Sequence, residues 1–379
     1  MFDIYITKAS SFLPNKAVNN DEIEEYLGLV KEQNSKTKSL ILRNNKIEER
    51  YYAIDKKGKA THSNAEMTAN AVKNILLQDK KALENVDLLC CGTASPDQLM
   101  PSHGVMVHGL LPELGSLDVV SPSGNCCTSL QALKYAFLSL RSGDKNKAIV
   151  TGSEYLSRNL RAESYEEEAV KLEKLQKEPI IGFEKDFIRW MLSDGAGAFL
   201  LEKTPNKEGL SLKIEWIEYR SYADQEEVCM YMGGDKVNGK FVSYKNYEPS
   251  EYMPNSLFSI KQDTKLLGES IVKYGAFFLL DLLEKKNFKV EDVNWFLPHL
   301  SSYYFQDKIY ESLVENNIEI PLNRWFSNLK SKGNIGSASV FLMIEELLEK
   351  GRLKKGEKVL LMVPESARFS YTFTMLTVC

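Results

Sequence analysis

The feature that most limits how this chain can fold is its alternation of short apolar runs, rich in β-branched residues, with longer stretches of helical spacing. Val86 to Thr93 (VDLLCCGT), Ser116 to Ser121 (SLDVVS), Lys147 to Gly152 (KAIVTG) and Ala196 to Glu202 (AGAFLLE) read as buried strands. Between the second and third, Leu130, Leu133, Phe137 and Leu140 form a helical stripe that Ser142-Gly143 closes. The same grammar returns in the second half. Leu210–Tyr219, Val293–Pro298, Lys358–Val363 and Ser370–Val378 read as strands, and Leu266–Lys285, Asp307–Asn317 and Ala338–Lys350 as helices. The class is therefore α/β. At 379 residues the chain is long for one core, and the repeated order suggests an internal duplication. Two stretches look inserted: Glu- and Lys-rich Leu160–Lys177, read as a solvated helix, and Tyr231–Tyr247, where Asn238-Gly239 signals a hairpin.

Charge and composition narrow the function. A net charge of −4 argues against bulk binding of nucleic acid. The longest oily stretch, Tyr274–Leu283, contains Asp281 and is shorter than the roughly 20 residues a membrane span needs. The opening MFDIYITKAS has no basic segment followed by an apolar one, so a cytoplasmic protein is expected. Six cysteines fall at 90, 91, 126, 127, 229 and 379, without CxxC spacing, and adjacent pairs are poor disulfide partners; no metal site is expected. Four histidines, at 62, 103, 108 and 299, are the whole supply for any histidine-dependent mechanism.

The informative segment is Ser121–Leu133, SPSGNCCTSLQAL, where a strand ends, a Pro-Ser-Gly turn follows and a helix begins near the cysteine pair. A thiol there meets the positive end of the helix dipole and unpaired N–H groups. Its pKa is expected below the free value of about 8.5, and the same N–H groups suit an acyl-transfer oxyanion.

NCCTSLQALKYAFLSLRSG followed by AIVTGSEYLSR resembles the nucleophile segment of β-ketoacyl synthases, in particular the β-ketoacyl-ACP synthase III group. Laying Ala132-Leu133 and Ser142-Gly143 on the family positions makes Cys126 the nucleophile and Cys127 its neighbour. Phe296-Leu-Pro-His299 resembles the strand-end histidine motif, and Lys332-Gly-Asn334-Ile-Gly-Ser-Ala-Ser339 the glycine-asparagine turn into a helix. Asp194-Gly-Ala-Gly-Ala198 looks like the strand entry that closes the first half. The resemblance implies a thiolase fold, a duplicated five-layered αβαβα arrangement of two pseudo-symmetric halves. One, 1–205, carries Cys126; the other, 206–379, carries His299 and Asn334.

It further implies an acyltransferase that makes a C–C bond by Claisen condensation of acyl thioesters through an acyl-Cys126 intermediate, in fatty acid or polyketide-type biosynthesis. His299 and the Asn334 amide are neutral donors suited to an enolate oxygen, so no cofactor is needed. The N–H groups of Cys126 and Ala367 would form a second oxyanion hole. Arg50 sits where an arginine near the pantetheine entrance is expected, and Met100 where synthase III dimers lend a side chain to the neighbour's acyl pocket. Acyl-CoA or acyl carrier protein thioesters are the implied partners, and a homodimer the implied assembly.

The chain departs from the family before its last strand. Glycines are usual there, but Pro364-Glu-Ser-Ala-Arg368-Phe-Ser-Tyr stands instead. Arg368 is expected near the active-site floor, paired with Glu154, an arrangement that would suit the ketosynthase/cyclase branch making dialkylresorcinols and cyclohexanediones, which the chain resembles in its long N-terminal and mid-chain segments. A thiolase needs a second reactive cysteine in a glycine-rich loop, and Cys379 has none. A hydroxymethylglutaryl-CoA synthase-like enzyme needs an upstream glutamate motif that Glu84 and Glu113 do not provide. A plant-type polyketide synthase shares the Cys-His-Asn set. The non-enzyme alternative is a catalytically silent partner subunit, which retention of all three residues disfavours.

Overall fold

The computed structural model describes residues 1–32, 35, 37–166 and 187–379. Its large sheet contains, in chain order, β1 (Tyr5–Phe12), β2 (Leu88–Thr93), β3 (Asp118–Val120), β4 (Lys147–Glu154), β5 (Gly195–Glu202), β6 (Leu212–Ser221), β7 (Val293–Pro298), β8 (Lys358–Glu365) and β9 (Ser370–Val378). Across the sheet the nine strands run β7-β8-β9-β6-β1-β5-β4-β2-β3. The β2–β3, β2–β4 and β7–β8 pairs are parallel and the rest antiparallel. β1 and β6 meet through only two residue pairs, Tyr5 with Lys213 and Ile6 with Leu212. The sheet narrows there to a seam between a five-strand and a four-strand stretch.

Among the described residues, five helices of eleven residues or more cover these stretches: α1 (Asn64–Gln78), α2 (Thr128–Ser142), α3 (Lys273–Lys286), α4 (Tyr304–Glu315) and α5 (Ser339–Glu349). The period-two alternation of a strand decides which helix each residue meets. In β2, Leu89 and Cys91 join the core under α1, whereas Leu88 and Cys90 join the core shared with α2 and α5. In β8, Val359, Leu361 and Val363 face that same central core, and Leu360 and Met362 face the one holding Phe278 of α3 and Phe305 of α4. The layers are thus α1, strands, α2 with α5, strands, and α3 with α4. This is why the strand sequences read as unbroken apolar runs. Each buried Leu, Val or Phe contributes about 1.5–3 kcal/mol, and the Phe199–Phe341 stack, with ring centroids 4.0 Å apart, ties β5 to α5.

Two sequence expectations differ locally. Leu266–Lys285 is not one helix but Thr264–Ser270 followed by α3, with the break at Ile271-Val272. There the Tyr371 hydroxyl donates to the Ile271 carbonyl, an acceptor that a continuous helix would use itself. Of Leu160–Lys177, residues up to Glu166 hold 3₁₀ turns at Ser157–Leu160 and Ala162–Ser164, and the remainder lies outside the described residues. The Asn238-Gly239 hairpin is present: Gly234–Val237 pairs with Lys240–Ser243, and both turn residues have positive φ, 50° and 76°. Among the described residues no helix is long and apolar enough to cross a membrane.

Candidate active site

The two adjacent cysteines have different surroundings. β3 ends at Val120, the chain turns across the strand ends, and α2 begins at Thr128 with Cys127 at the N-cap position. Asn125 closes the turn, its carbonyl accepting from Thr128 N at 2.9 Å and Thr128 Oγ1 at 2.6 Å. The Cys127 thiol is buried and donates to the Val363 carbonyl at 3.1 Å, which fastens α2 to β8. Cys126 is partly exposed and lines a cavity of about 390 Å³. Its position at the cavity wall depends on close packing behind it. A Cβ on Gly152 of β4 would lie 2.5 Å from the Ser337 carbonyl and 2.8 Å from Ser129 Cβ.

His299 and Asn334 line the same cavity. His299 follows directly on β7, held by its own N–H to the Met362 carbonyl at 2.7 Å. Burial lowers its pKa to about 4, so the ring is neutral at pH 7. Its Nδ1 is buried without a hydrogen-bond partner among the described residues. Asn334 sits in the turn before α5, its N–H donating to the Met191 carbonyl at 2.9 Å and its Oδ1 accepting from Gly336 N at 2.9 Å. With Oδ1 taken, the amide NH₂ is the group left to donate into the cavity.

A fourth polar residue escaped sequence reasoning. Glu365, the last residue of β8, lines the cavity, and its Oε2 accepts from Asn125 N at 3.3 Å and Cys127 N at 3.2 Å. This carboxylate therefore occupies the amides on either side of Cys126. The expectation of a lowered thiol pKa is corrected: the Cys126 thiol is raised, first by burial, then by the charges of Glu365 and Glu154. The helix-start amides that should have favoured thiolate are already satisfied by an anion. The missed signal was present in the sequence, as an acidic residue where glycines were sought.

Of the other expected site residues, Glu154 and Ala367 line this cavity, whereas Arg50, Arg368 and Met100 lie outside it. Arg50 is fully buried, donating to Asn20 Oδ1 at 2.7 Å and the Trp190 carbonyl at 2.9 Å. It braces the fold and cannot meet a solvent-borne phosphate. The Glu154–Arg368 pair does not form. Glu154 is buried and accepts from Ser95 Oγ at 2.6 Å, Ser337 N at 3.1 Å and Ala94 N at 3.3 Å. Arg368 points outward, its Nε donating to the Glu226 carbonyl at 2.9 Å. The turn that carries it projects the side chain away from the floor, while Ser366 and Ala367 line the cavity. Ala367 also accepts, through its carbonyl, from Cys229 N at 2.8 Å. Met100 is on the surface, 85% exposed.

Residues 283–365 match the family model of the 3-oxoacyl-[acyl-carrier-protein] synthase III C-terminal region. Over 352 residues, 92% of each chain, the sequence is 25% identical to a β-ketoacyl-[acyl-carrier-protein] synthase III of Clostridium perfringens. The fold is similar to that of AbyA1, a tetronic acid condensing enzyme (TM-score 0.77, 22% identity, 99% of each chain covered). It is similar also to a variant of OleA from Xanthomonas campestris (TM-score 0.74, 19% identity, 99% and 98% covered). With its strand-end histidine, its asparagine turn and its layered sheet, the chain is similar in sequence to β-ketoacyl-ACP synthase III proteins and shares the fold of these condensing enzymes.

Proposed function

We propose that this protein is a ketosynthase, an acyltransferase that forms a C–C bond by Claisen condensation of acyl thioesters held on CoA or an acyl carrier protein. The observation that carries the reading is that Cys126, His299 and Asn334 line one cavity. In the first half-reaction the Cys126 sulfur attacks the donor thioester carbonyl. A C–S bond forms on Cys126, the donor C–S bond breaks, and the donor thiol leaves with the proton. In the second, the enolate of another thioester attacks acyl-Cys126. Its developing charge is met by the neutral His299 ring and the Asn334 amide, donors that need no reorganisation. Cys126 N–H and Ala367 N–H form the oxyanion hole for the acyl group.

The apolar arm of the cavity supports a fatty or polyketide-like acyl group. Leu267, Ile271, Val272, Phe305 and Ile309 line it, and its volume lies within the range of small-molecule sites. Closure of the product to a dialkylresorcinol precursor would proceed without the Arg368 contact expected for it, since Arg368 is bonded to the Glu226 carbonyl. Incubation with a panel of acyl thioesters, followed by intact-protein mass spectrometry, tests the reading. The expected result is an acyl adduct that maps to Cys126 and is absent from Cys126→Ala. No adduct with any donor would sink the ketosynthase reading in favour of a silent partner subunit.

A further inference from the structure

A Claisen nucleophile is made either by loss of CO₂ from a malonyl-type thioester or by removal of an α-proton from an uncarboxylated one. The two routes place opposite demands on the cavity. The first brings a third carboxylate beside the acyl-carrying sulfur; the second needs a resident base. In this cavity Glu365 and Glu154 both lie close enough to raise the Cys126 thiol electrostatically. No Lys or Arg lines it among the described residues. Arg368, the cation nearest in sequence, is committed to the Glu226 carbonyl outside. A malonyl carboxylate would therefore enter a site that already holds two carboxyl groups and, among the described residues, no cation in its lining.

The two acids differ in availability. Glu154 is 1% exposed, and both its oxygens are taken by Ser95, Ser337 and Ala94. Glu365 is only partly buried; both backbone N–H bonds fall on one oxygen, Oε2, and the Ser370 side chain also hydrogen-bonds the carboxyl group. Those bonds fix the carboxylate against the turn that carries the nucleophile. We propose that Glu365 is a catalytic base, and that the second substrate is an uncarboxylated acyl thioester whose α-carbon it deprotonates. Burial raises the Glu365 pKa, which strengthens it for this task.

The step balances without a further reactant. The Glu365 carboxylate takes the α-proton, and the C–H electron pair becomes the enolate, its charge held by His299 and Asn334. The enolate carbon bonds to the acyl carbonyl carbon, the C–S bond to Cys126 breaks, and the departing thiolate recovers the proton from Glu365. A β-ketoacyl thioester forms and no CO₂ is released.

The inference rests on the ketosynthase reading, and the experiment separates the two. Octanoyl-CoA, with and without deuterium at its α-carbon, and malonyl-CoA are given to the parent and to Glu365→Gln. Adduct formation at Cys126 is followed by mass spectrometry beside condensation. The parent is expected to self-condense octanoyl-CoA with a primary isotope effect. Glu365→Gln should keep the adduct yet lose condensation by about 10²–10⁴-fold, a split that a bracing role would not produce. If Glu365→Gln fails to take the adduct, Glu365→Asp decides: a slowed condensation that keeps the isotope effect supports the base. A parent that extends only with malonyl-CoA overturns the proposal, as does a Gln or Asp variant that condenses octanoyl-CoA at the parent's rate. A parent without any adduct fails the ketosynthase reading itself.

Discussion

At the scale of single residues, the electrostatics of Cys126 make it a thiol that resists ionisation. Burial is the main cause, and the carboxylates of Glu365 and Glu154 add to it, outweighing the helix start that argued for the opposite. A raised thiol pKa means a small thiolate fraction at neutral pH, a fraction that keeps growing as pH rises. Alkylation of Cys126 by iodoacetamide should therefore be slower than that of a free cysteine at pH 7. It should still be accelerating above pH 9, where a free thiol near 8.5 levels off. In Glu365→Gln one like charge is gone, so the thiol pKa falls and alkylation at pH 8 quickens, by up to about tenfold per unit of pKa recovered. Slower alkylation in that variant would mean that Glu365 promotes the thiolate, against the charge argument. The residue types at the cavity were legible in sequence because Cys126, His299 and Asn334 stand in short motifs of fixed local geometry. Arg50 and Arg368 were misplaced because burial and side-chain direction depend on which surface a segment packs against, and nothing in the local pattern states that.

At the scale of elements, the site is the meeting point of three chain ends: the turn before α2, the end of β7 and the turn before α5. Their approach is tight at Gly336, which has a φ of +47°. A Cβ there would lie 2.9 Å from both Glu154 Cγ and Oε1, inside the group that also binds Ser337 N. Gly336→Ala should cost about 1–2 kcal/mol from backbone conformation alone, with a further loss from displacing Glu154. Urea unfolding measures the total. A variant as stable as the parent would show that the turn relaxes freely and does not fix Asn334 through Gly336 N. Strand and helix positions were largely readable from periodicity, since doubly covered strands leave a plain apolar signature. The break at Ile271-Val272 was not readable: its cause is a hydroxyl from Tyr371, a hundred residues away in sequence. Where a long-range partner decides a local geometry, a local pattern cannot report it.

At the scale of the whole molecule, the chain uses two strand stretches joined by two residue pairs and enclosing α2 and α5. We propose that the halves divide as 1–205 and 206–379: β1–β5 fall in the first and β6–β9 in the second, so the nucleophile comes from one and the two donors from the other. The same scale raises the question of assembly. Leu99, Met100, Val105 and Met106 are 79%, 85%, 49% and 38% exposed, an apolar group close together in the chain and just upstream of the β3 edge of the sheet. Apolar groupings of this kind on a surface are sites of association, and a patch that meets its own copy across a two-fold axis is buried twice for each contact. We propose a homodimer in which Met100 reaches the partner's acyl pocket. Light scattering should give about twice the 43.1 kDa chain mass. Met100→Asp places a charge in that contact, so the dimer should weaken and dissociate at higher protein concentration than the parent does. If Met100 also borders the partner's acyl chain, Met100→Ala should keep the dimer while shifting the preferred donor length in the Cys126 adduct assay. A monomeric parent removes both expectations; a dimer indifferent to Met100→Asp places the contact on another face.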